Sequence, residues 1–111
     1  MASIDLKNVE AKEIAKGYFA KLIHSEKMTF SFIEVKAGES LPEHSHPHEQ
    51  VSIVQQGTFQ LTLAGKPIIF EEGQLVIIPS NTKHSGLAIT DCKLLDVFNP
   101  VREDYKKLSN N

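Results

Sequence analysis

The chain has 111 residues and a mass of 12.4 kDa, enough for one domain with a hydrophobic core and too little to suggest a second. Hydrophobic residues make up 41% and charged residues 23%, as in ordinary globular domains, so extensive disorder is excluded. The net charge of −2, with lysines scattered along the chain, argues against nucleic acid or an anionic membrane surface as the main partner.

The N-terminal residues contain no apolar stretch of the length that a signal peptide needs. No segment approaches the roughly 20 apolar residues of a membrane span. We therefore expect a cytoplasmic protein that does not associate with membranes. The single cysteine, Cys92, lies in an apolar run and is predicted to be a buried thiol without chemistry of its own.

Short apolar runs alternate with turn residues from Lys12 onward, at intervals of about ten residues, and none keeps helical spacing over three turns. The pattern predicts an all-β sandwich or small barrel. The predicted strands are residues 17–24, 29–37, 50–56, 58–64, 66–71, 74–78, 85–89 and 93–98. After Pro100, the residues from Arg102 to Leu108 are predicted to form one or two helical turns.

Some of these strands are apolar on both faces. Residues 58–64 alternate, with Phe59, Leu61 and Leu63 on one face, whereas residues 68–70 and 75–78 are apolar throughout. A sheet covered on both sides is implied, and because so short a chain has little left to cover the outer face, we expect a homodimer.

A histidine cluster precedes the third predicted strand. The run from His44 to Gln50 reads HSHPHEQ, and along an extended chain its even-numbered residues point one way while Ser45 and Glu49 point the other. The imidazoles of His44 and His46 can therefore reach one metal ion. His84, after the turn at residues 79–83, is the candidate for a further ligand from a distant strand. The alternative is a solvated loop.

Two further observations bear on the interpretation of the histidines as metal ligands. Pro47 interrupts strand pairing, which favours a position for the cluster at a strand edge or rim. His24 stands alone on an early strand and is predicted to be structural rather than a ligand.

An aspartate interrupts the last predicted strand. Asp96 lies within the apolar run LLDVF, where an ionised carboxylate is costly unless it is paired or used. One interpretation is a structural ion pair between Asp96 and Arg102. In the other, Asp96 transfers protons, Phe98 forms a wall of a cavity and Arg102 binds a substrate carboxylate.

Two segments carry a family resemblance. Residues 38–57, GESLPEHSHPHEQVSIVQQG, resemble the first cupin motif, and residues 73–84, GQLVIIPSNTKH, resemble the second, with Asn81 where glycine is usual. The resemblance implies one cupin domain over residues 1–111, with its core at about residues 12–100: a double-stranded β-helix or jelly-roll barrel with a short helical tail. It implies His44, His46, Gln50 and His84 as metal ligands. Glu49 remains the alternative to Gln50, and His48 is expected at the rim.

The cluster and the C-terminal residues together are similar to the KdgF-type cupins, which act in pectin and alginate degradation. That resemblance implies conversion of 4,5-unsaturated monouronates, small acidic substrates, to linear keto forms. It implies a divalent nickel, zinc, manganese or iron ion on the four ligands. The implied catalytic residues are Asp96 and Arg102, and the implied substrate contacts are Phe98, Arg102 and His48.

The amide at position 50 bears on the choice between functions. Four neutral ligands leave the charge of a divalent ion uncompensated, which favours an acidic substrate over oxygen activation. The alternatives are a non-catalytic cupin that binds a sugar or small acid, and a metal-dependent dioxygenase or other isomerase on the same barrel.

Overall fold

Two antiparallel sheets make up the computed structural model, which describes residues 3–109. After a 3-10 turn at Leu6–Asn8, the larger sheet contains β1 (Lys12–Ala15), β2 (Tyr18–His24), β3 (Thr29–Val35), β5 (Glu49–Gln56), β8 (Leu75–Ile78) and β10 (Cys92–Asn99). The smaller sheet contains β4 (Ser40–His44), β6 (Thr58–Leu63), β7 (Lys66–Glu71) and β9 (His84–Ala88). A short helix, α1 (Glu103–Leu108), follows β10.

The strand order confirms the predicted all-β fold. The six-stranded sheet runs β1-β2-β3-β10-β5-β8 and the four-stranded sheet β4-β9-β6-β7, an arrangement consistent with a jelly roll. Each predicted strand and the predicted helical turns are present within a few residues. The sequence pattern did not predict β1 and β4, because both are short, charged and only partly buried, and β4 contains Pro42. No helix within residues 3–109 is long and apolar enough to cross a membrane.

The core lies between the sheets and follows the alternation of each strand. Side chains such as Val54, Phe59 and Leu94 are at most 3% exposed. Phe59 packs so tightly under β9 that a Cβ at Gly86 would come within 2.6 Å of its ring, so glycine is required there. Cys92 is buried as predicted, and its thiol donates to the carbonyl oxygen of Thr58.

The outer face of the six-stranded sheet is also apolar. Two cross-strand rows run over β3, β10, β5 and β8; the first consists of Phe32, Leu95, Ile53 and Leu75, and the second of Phe30, Val97, Val51 and Ile77. Leu75 and Ile77 are 52% and 55% exposed. The smaller sheet, in contrast, turns its outer face to solvent with fewer apolar side chains, among them Ile69 and Leu87.

Candidate metal centre and cavity

Three histidines converge where the two sheets open. His44 ends β4 and lies directly opposite His84, which begins β9. His46 follows in the loop before β5, and the amide of Asn81 donates to its carbonyl oxygen at 2.8 Å, joining that loop to the turn before His84. Asn81 occupies the glycine position of the second motif with a φ of 61°, a conformation that asparagine tolerates. One ligand atom from each of the three histidines lies within 4.8 Å of the others.

The ring orientation of each histidine leaves one nitrogen lone pair for a ligand. The Nδ1 atoms of His44, His46 and His84 lie 2.8, 3.1 and 2.8 Å from the carbonyl oxygens of Pro42, His48 and Thr82. Since a carbonyl only accepts, each Nδ1 carries a proton, and in the neutral imidazole Nε2 is then free of one, which is the tautomer of a metal-binding imidazole. The Nε2 atom of His84 is buried and has no hydrogen-bond partner among the described residues.

The protonation states agree with that role. Burial lowers the pKa of His84 to about 4, although its hydrogen bond to the Thr82 carbonyl opposes the shift. Burial also lowers the pKa of His46, and the charge of Arg102 adds to the effect. Both imidazoles are therefore neutral at neutral pH, as a metal ligand must be.

Gln50 brings a fourth donor atom to the same point. It is the second residue of β5, is 6% exposed, and holds its Oε1 atom 3.0 Å from Nε2 of His46. An amide oxygen and an unprotonated Nε2 are both acceptors, so their approach is unfavourable unless a cation shares them. The three histidines and Gln50 thus fit a divalent metal ion and would be its ligands. Glu49, the alternative, is exposed and on the opposite side of the strand.

A cavity of about 310 Å³ opens beside these ligand atoms. His44, Gln50 and His84 line it together with Asp96, Phe98 and Arg102, three of the residues expected from the sequence. His48 is half-buried with its ring 5.4 Å from that of His46 and 6.4 Å from that of Phe98. Among the described residues, His48 is not one of those that line this cavity.

Asp96 is held by a serine. The two residues are directly opposite on β10 and β5, and Oγ of Ser52 donates to Oδ1 of Asp96 at 2.7 Å. Burial raises the pKa of Asp96 to about 6, against the opposing effects of the Ser52 hydrogen bond and the Arg102 charge. Sequence reasoning missed Ser52, although its position two residues after Gln50 places it on the same face of β5.

Arg102 pairs with Asp104 and not with Asp96. Its Nη2 and Nε atoms lie 2.7 and 3.2 Å from the Asp104 carboxylate, so the alternative of a structural Asp96–Arg102 ion pair is wrong. The guanidinium lies 3.7 Å over the ring of Tyr105 and 4.9 Å over that of Phe98. Tyr105 and Asp104 also line the cavity, and sequence reasoning missed both because nothing in the tail's pattern places it against the barrel.

Comparisons with known proteins identify the family and the fold. Residues 31–98 match the family described as the cupin domain. Pectin degradation protein KdgF of Dickeya dadantii (strain 3937) is 25% identical over 97 residues, which cover 85% of this chain and 88% of that protein.

Solved structures share the fold over nearly the whole chain. The structure of KdgF from a Halomonas species has a TM-score of 0.85 at 24% identity, covering 95% of this chain and 99% of the other. An RmlC-like cupin from Shewanella frigidimarina NCIMB 400 has a TM-score of 0.85 at 26% identity, covering 93% of each chain. The chain therefore resembles KdgF in both sequence and architecture.

Proposed function

Because this chain belongs to the cupin domain family, we propose that it is a metal-dependent enzyme that converts 4,5-unsaturated monouronates to their linear keto forms. One observation carries the proposal: a single cavity is lined by three of the four candidate metal ligands together with Asp96, Phe98 and Arg102. The resemblance to pectin degradation protein KdgF supports the choice of an acidic sugar from pectin.

The proposed ligands are His44, His46, Gln50 and His84. Imidazole nitrogens and an amide oxygen are uncharged donors, so a divalent ion bound there would keep its charge and would supply Lewis-acid stabilisation to the oxygens of an anionic sugar. The donor set is compatible with nickel, zinc, manganese or iron.

Arg102 is the proposed binding group for the substrate carboxylate. Two of its five N–H groups are directed at Asp104, which is exposed, and the others remain for a second carboxylate in fork geometry. The rings of Tyr105 and Phe98 hold the guanidinium in place, and Phe98 adds an apolar surface for the sugar. The ring of His48 lies 6.4 Å from that of Phe98, and His48 is proposed to support this wall.

Asp96 is the proposed proton-transfer residue. Ring opening moves a proton from the hemiacetal hydroxyl to the ring oxygen as the C1–O5 bond breaks, and it leaves an enol at C4 and C5. Ketonisation then removes the enol proton and adds one at C4, so the overall composition is unchanged. A carboxyl group whose pKa is about 6 is suited to accept and return protons near neutral pH.

The proposal is tested by incubating the metal-loaded protein with unsaturated galacturonate or guluronate produced by a lyase. Loss of the absorbance of the conjugated double bond should be much faster than the uncatalysed reaction. Asp96→Asn should reduce kcat at least about 100-fold, the usual effect of losing a general acid or base. Glu72→Gln, which changes an exposed carboxylate in the turn between β7 and β8, is the control and should leave the rate unchanged. A wild-type rate equal to the uncatalysed rate would refute the proposal.

We also propose that the protein acts as a homodimer through the outer face of the six-stranded sheet. The two apolar rows described above are continuous over four strands, and a groove of about 590 Å³ lies next to them. The same face carries Lys21, Lys93 and Glu34, so it has charges of both signs. A copy related by a twofold axis can place these lysines opposite the glutamates while covering the apolar rows, which makes a second copy the expected partner.

A further inference from the structure

The C-terminal segment from Arg102 to Ser109 forms one wall of the cavity. Arg102, Asp104 and Tyr105 all line it, and the ring of Tyr105 lies 5.7 Å from that of Phe98. Helix α1 packs against β2, at the end of the sheet where the β2–β3 hairpin turns. Helix α1 has only six residues and no side-chain cap at its N-terminus. So short a helix is not stable by itself, and the segment therefore depends on contacts with the rest of the protein.

A chain of hydrogen bonds fastens the segment to the hairpin. Oγ1 of Thr29, which is fully buried, accepts from the backbone N–H of Arg102 at 2.9 Å. The same Oγ1 lies 2.9 Å from Nδ1 of His24, on the neighbouring strand. Nε2 of His24 lies 3.1 Å from Oγ of Ser109, which donates to the carbonyl oxygen of Lys106 at 3.0 Å. These hydrogen bonds thus hold both ends of α1.

The donors and acceptors in this chain have one consistent direction. Because Thr29 Oγ1 accepts from Arg102, its own hydrogen is available for Nδ1 of His24. His24 is then the neutral tautomer with a proton on Nε2, which donates to Ser109. Burial lowers the pKa of His24, the nearby charge of Lys106 lowers it further, and that of Glu103 opposes the shift. The neutral form of His24 is therefore favoured, and in it every donor in this series of hydrogen bonds faces an acceptor.

We propose that Thr29 is a positioning residue for Arg102: its buried hydroxyl, oriented by His24, holds the backbone of Arg102 so that the guanidinium stays in the cavity wall. The role of Arg102 in carboxylate binding rests on the function proposed above. The anchoring of the backbone does not, because it follows from the hydrogen bonds alone.

Thr29→Val tests the anchor because it removes the hydroxyl and keeps a branched side chain of similar size. We expect the amide of Arg102 to exchange with deuterium at least tenfold faster than in wild type, and trypsin to cleave within residues 102–107 correspondingly faster. Thr29→Ser, which keeps the hydroxyl, should restore both to wild-type values. The control is Thr62→Val, which removes a half-buried hydroxyl from β6 in the other sheet and should change neither.

A second variant guards against misfolding at the fully buried position 29. His24 is only half-buried, so His24→Leu should fold while it removes the partners of both Thr29 and Ser109. It should likewise accelerate exchange and cleavage of the C-terminal segment. Exchange at Arg102 that is unchanged in both Thr29→Val and His24→Leu would overturn the anchor.

Turnover of unsaturated galacturonate separates positioning from a general structural role. Thr29→Val should raise KM about tenfold with kcat within about twofold of wild type, and Thr29→Ser should reverse the change. Faster exchange at Arg102 with an unchanged KM would overturn the positioning role. If wild type shows no turnover, the proposed function fails, and the exchange measurement then decides by itself whether Thr29 anchors Arg102.

Discussion

Ser52 donates a hydrogen bond of 2.7 Å to Oδ1 of Asp96 across the paired strands β5 and β10. On the other side of Asp96, directly opposite on β3, Ser31 is fully buried, and its Oγ has no hydrogen-bond partner among the described residues. Two serines therefore flank the carboxyl group and only one of them bonds to it. The pair offers a matched test of what sets the pKa of Asp96.

Replacement of Ser52 by alanine should raise the pKa of Asp96 further. The Ser52 hydrogen bond lowers that pKa against the larger effect of burial, and a hydrogen bond to a charged group contributes roughly 1.5–3 kcal/mol, or about one pKa unit or more. Carboxyl ¹³C NMR titration of the metal-free protein measures the shift. Ser31→Ala is the control and should leave the titration unchanged; an equal shift in both variants would contradict a specific Ser52 effect.

Replacement of Asp96 by asparagine should make the stability of the metal-free protein less dependent on pH. Burial raises the folded-state pKa of Asp96 from 3.8 to about 6, so folding favours the protonated form. The contribution of protonated Asp96 to the free energy of unfolding is fully present below about pH 4 and is lost as the pH rises through 6. With about 1.4 kcal/mol for each pKa unit, the loss is roughly 3 kcal/mol by pH 8.

The asparagine variant should therefore unfold at higher urea concentration than wild type at pH 8, while its amide oxygen still accepts from Ser52. At pH 4 the two proteins should differ little. Urea titrations with a chelator present at both pH values measure the difference. A variant that is less stable than wild type at pH 8 would show that the buried carboxylate is not a destabilising charge.

Replacement of Gln50 by glutamate should tighten metal binding and weaken the binding of anionic substrate. A carboxylate at this position compensates part of the cation's charge, so metal affinity rises and KM for an unsaturated uronate should rise about tenfold, equivalent to ~1.4 kcal/mol. Glu49→Gln is the matched control, because its side chain is exposed and should affect neither property. Metal titration by calorimetry and steady-state kinetics measure both. A metal affinity that falls in Glu49→Gln and not in Gln50→Glu would identify Glu49 as the ligand.

Replacement of Ile77 by lysine should weaken the proposed homodimer. Ile77 is 55% exposed in the second apolar row of the larger sheet, where a buried, unpaired ammonium group would oppose association. Sedimentation or light scattering should show a dissociation constant at least about tenfold higher, ~1.4 kcal/mol. Ile69→Lys is the control, since Ile69 is 62% exposed on the smaller sheet. A wild-type protein that is monomeric at micromolar concentration would refute the dimer.

Local patterns in the sequence were sufficient for the strands that form the core. Alternation in β6 and the turn residues around it predict which side chains are buried, because side chains of a strand point to its two faces by geometry alone. The spacing of His44, His46 and His84 predicts their convergence, because the two cupin motifs place β4 opposite β9. Strand β4 itself escaped prediction, since its pairing partner is more than forty residues away and its own residues are mostly polar.

Strand periodicity and motif spacing are enough to predict the fold class, the candidate metal ligands and an aspartate within an apolar strand. The partner of each polar group follows from the folded arrangement. The register between β5 and β10 places Asp96 opposite Ser52, which donates to it. The packing of the C-terminal segment lets the side chain of Arg102 donate to Asp104 and its backbone N–H donate to Thr29. The two differ in range, because strand periodicity is a property of neighbouring residues, whereas a hydrogen bond depends on atoms that distant segments bring within about 3 Å.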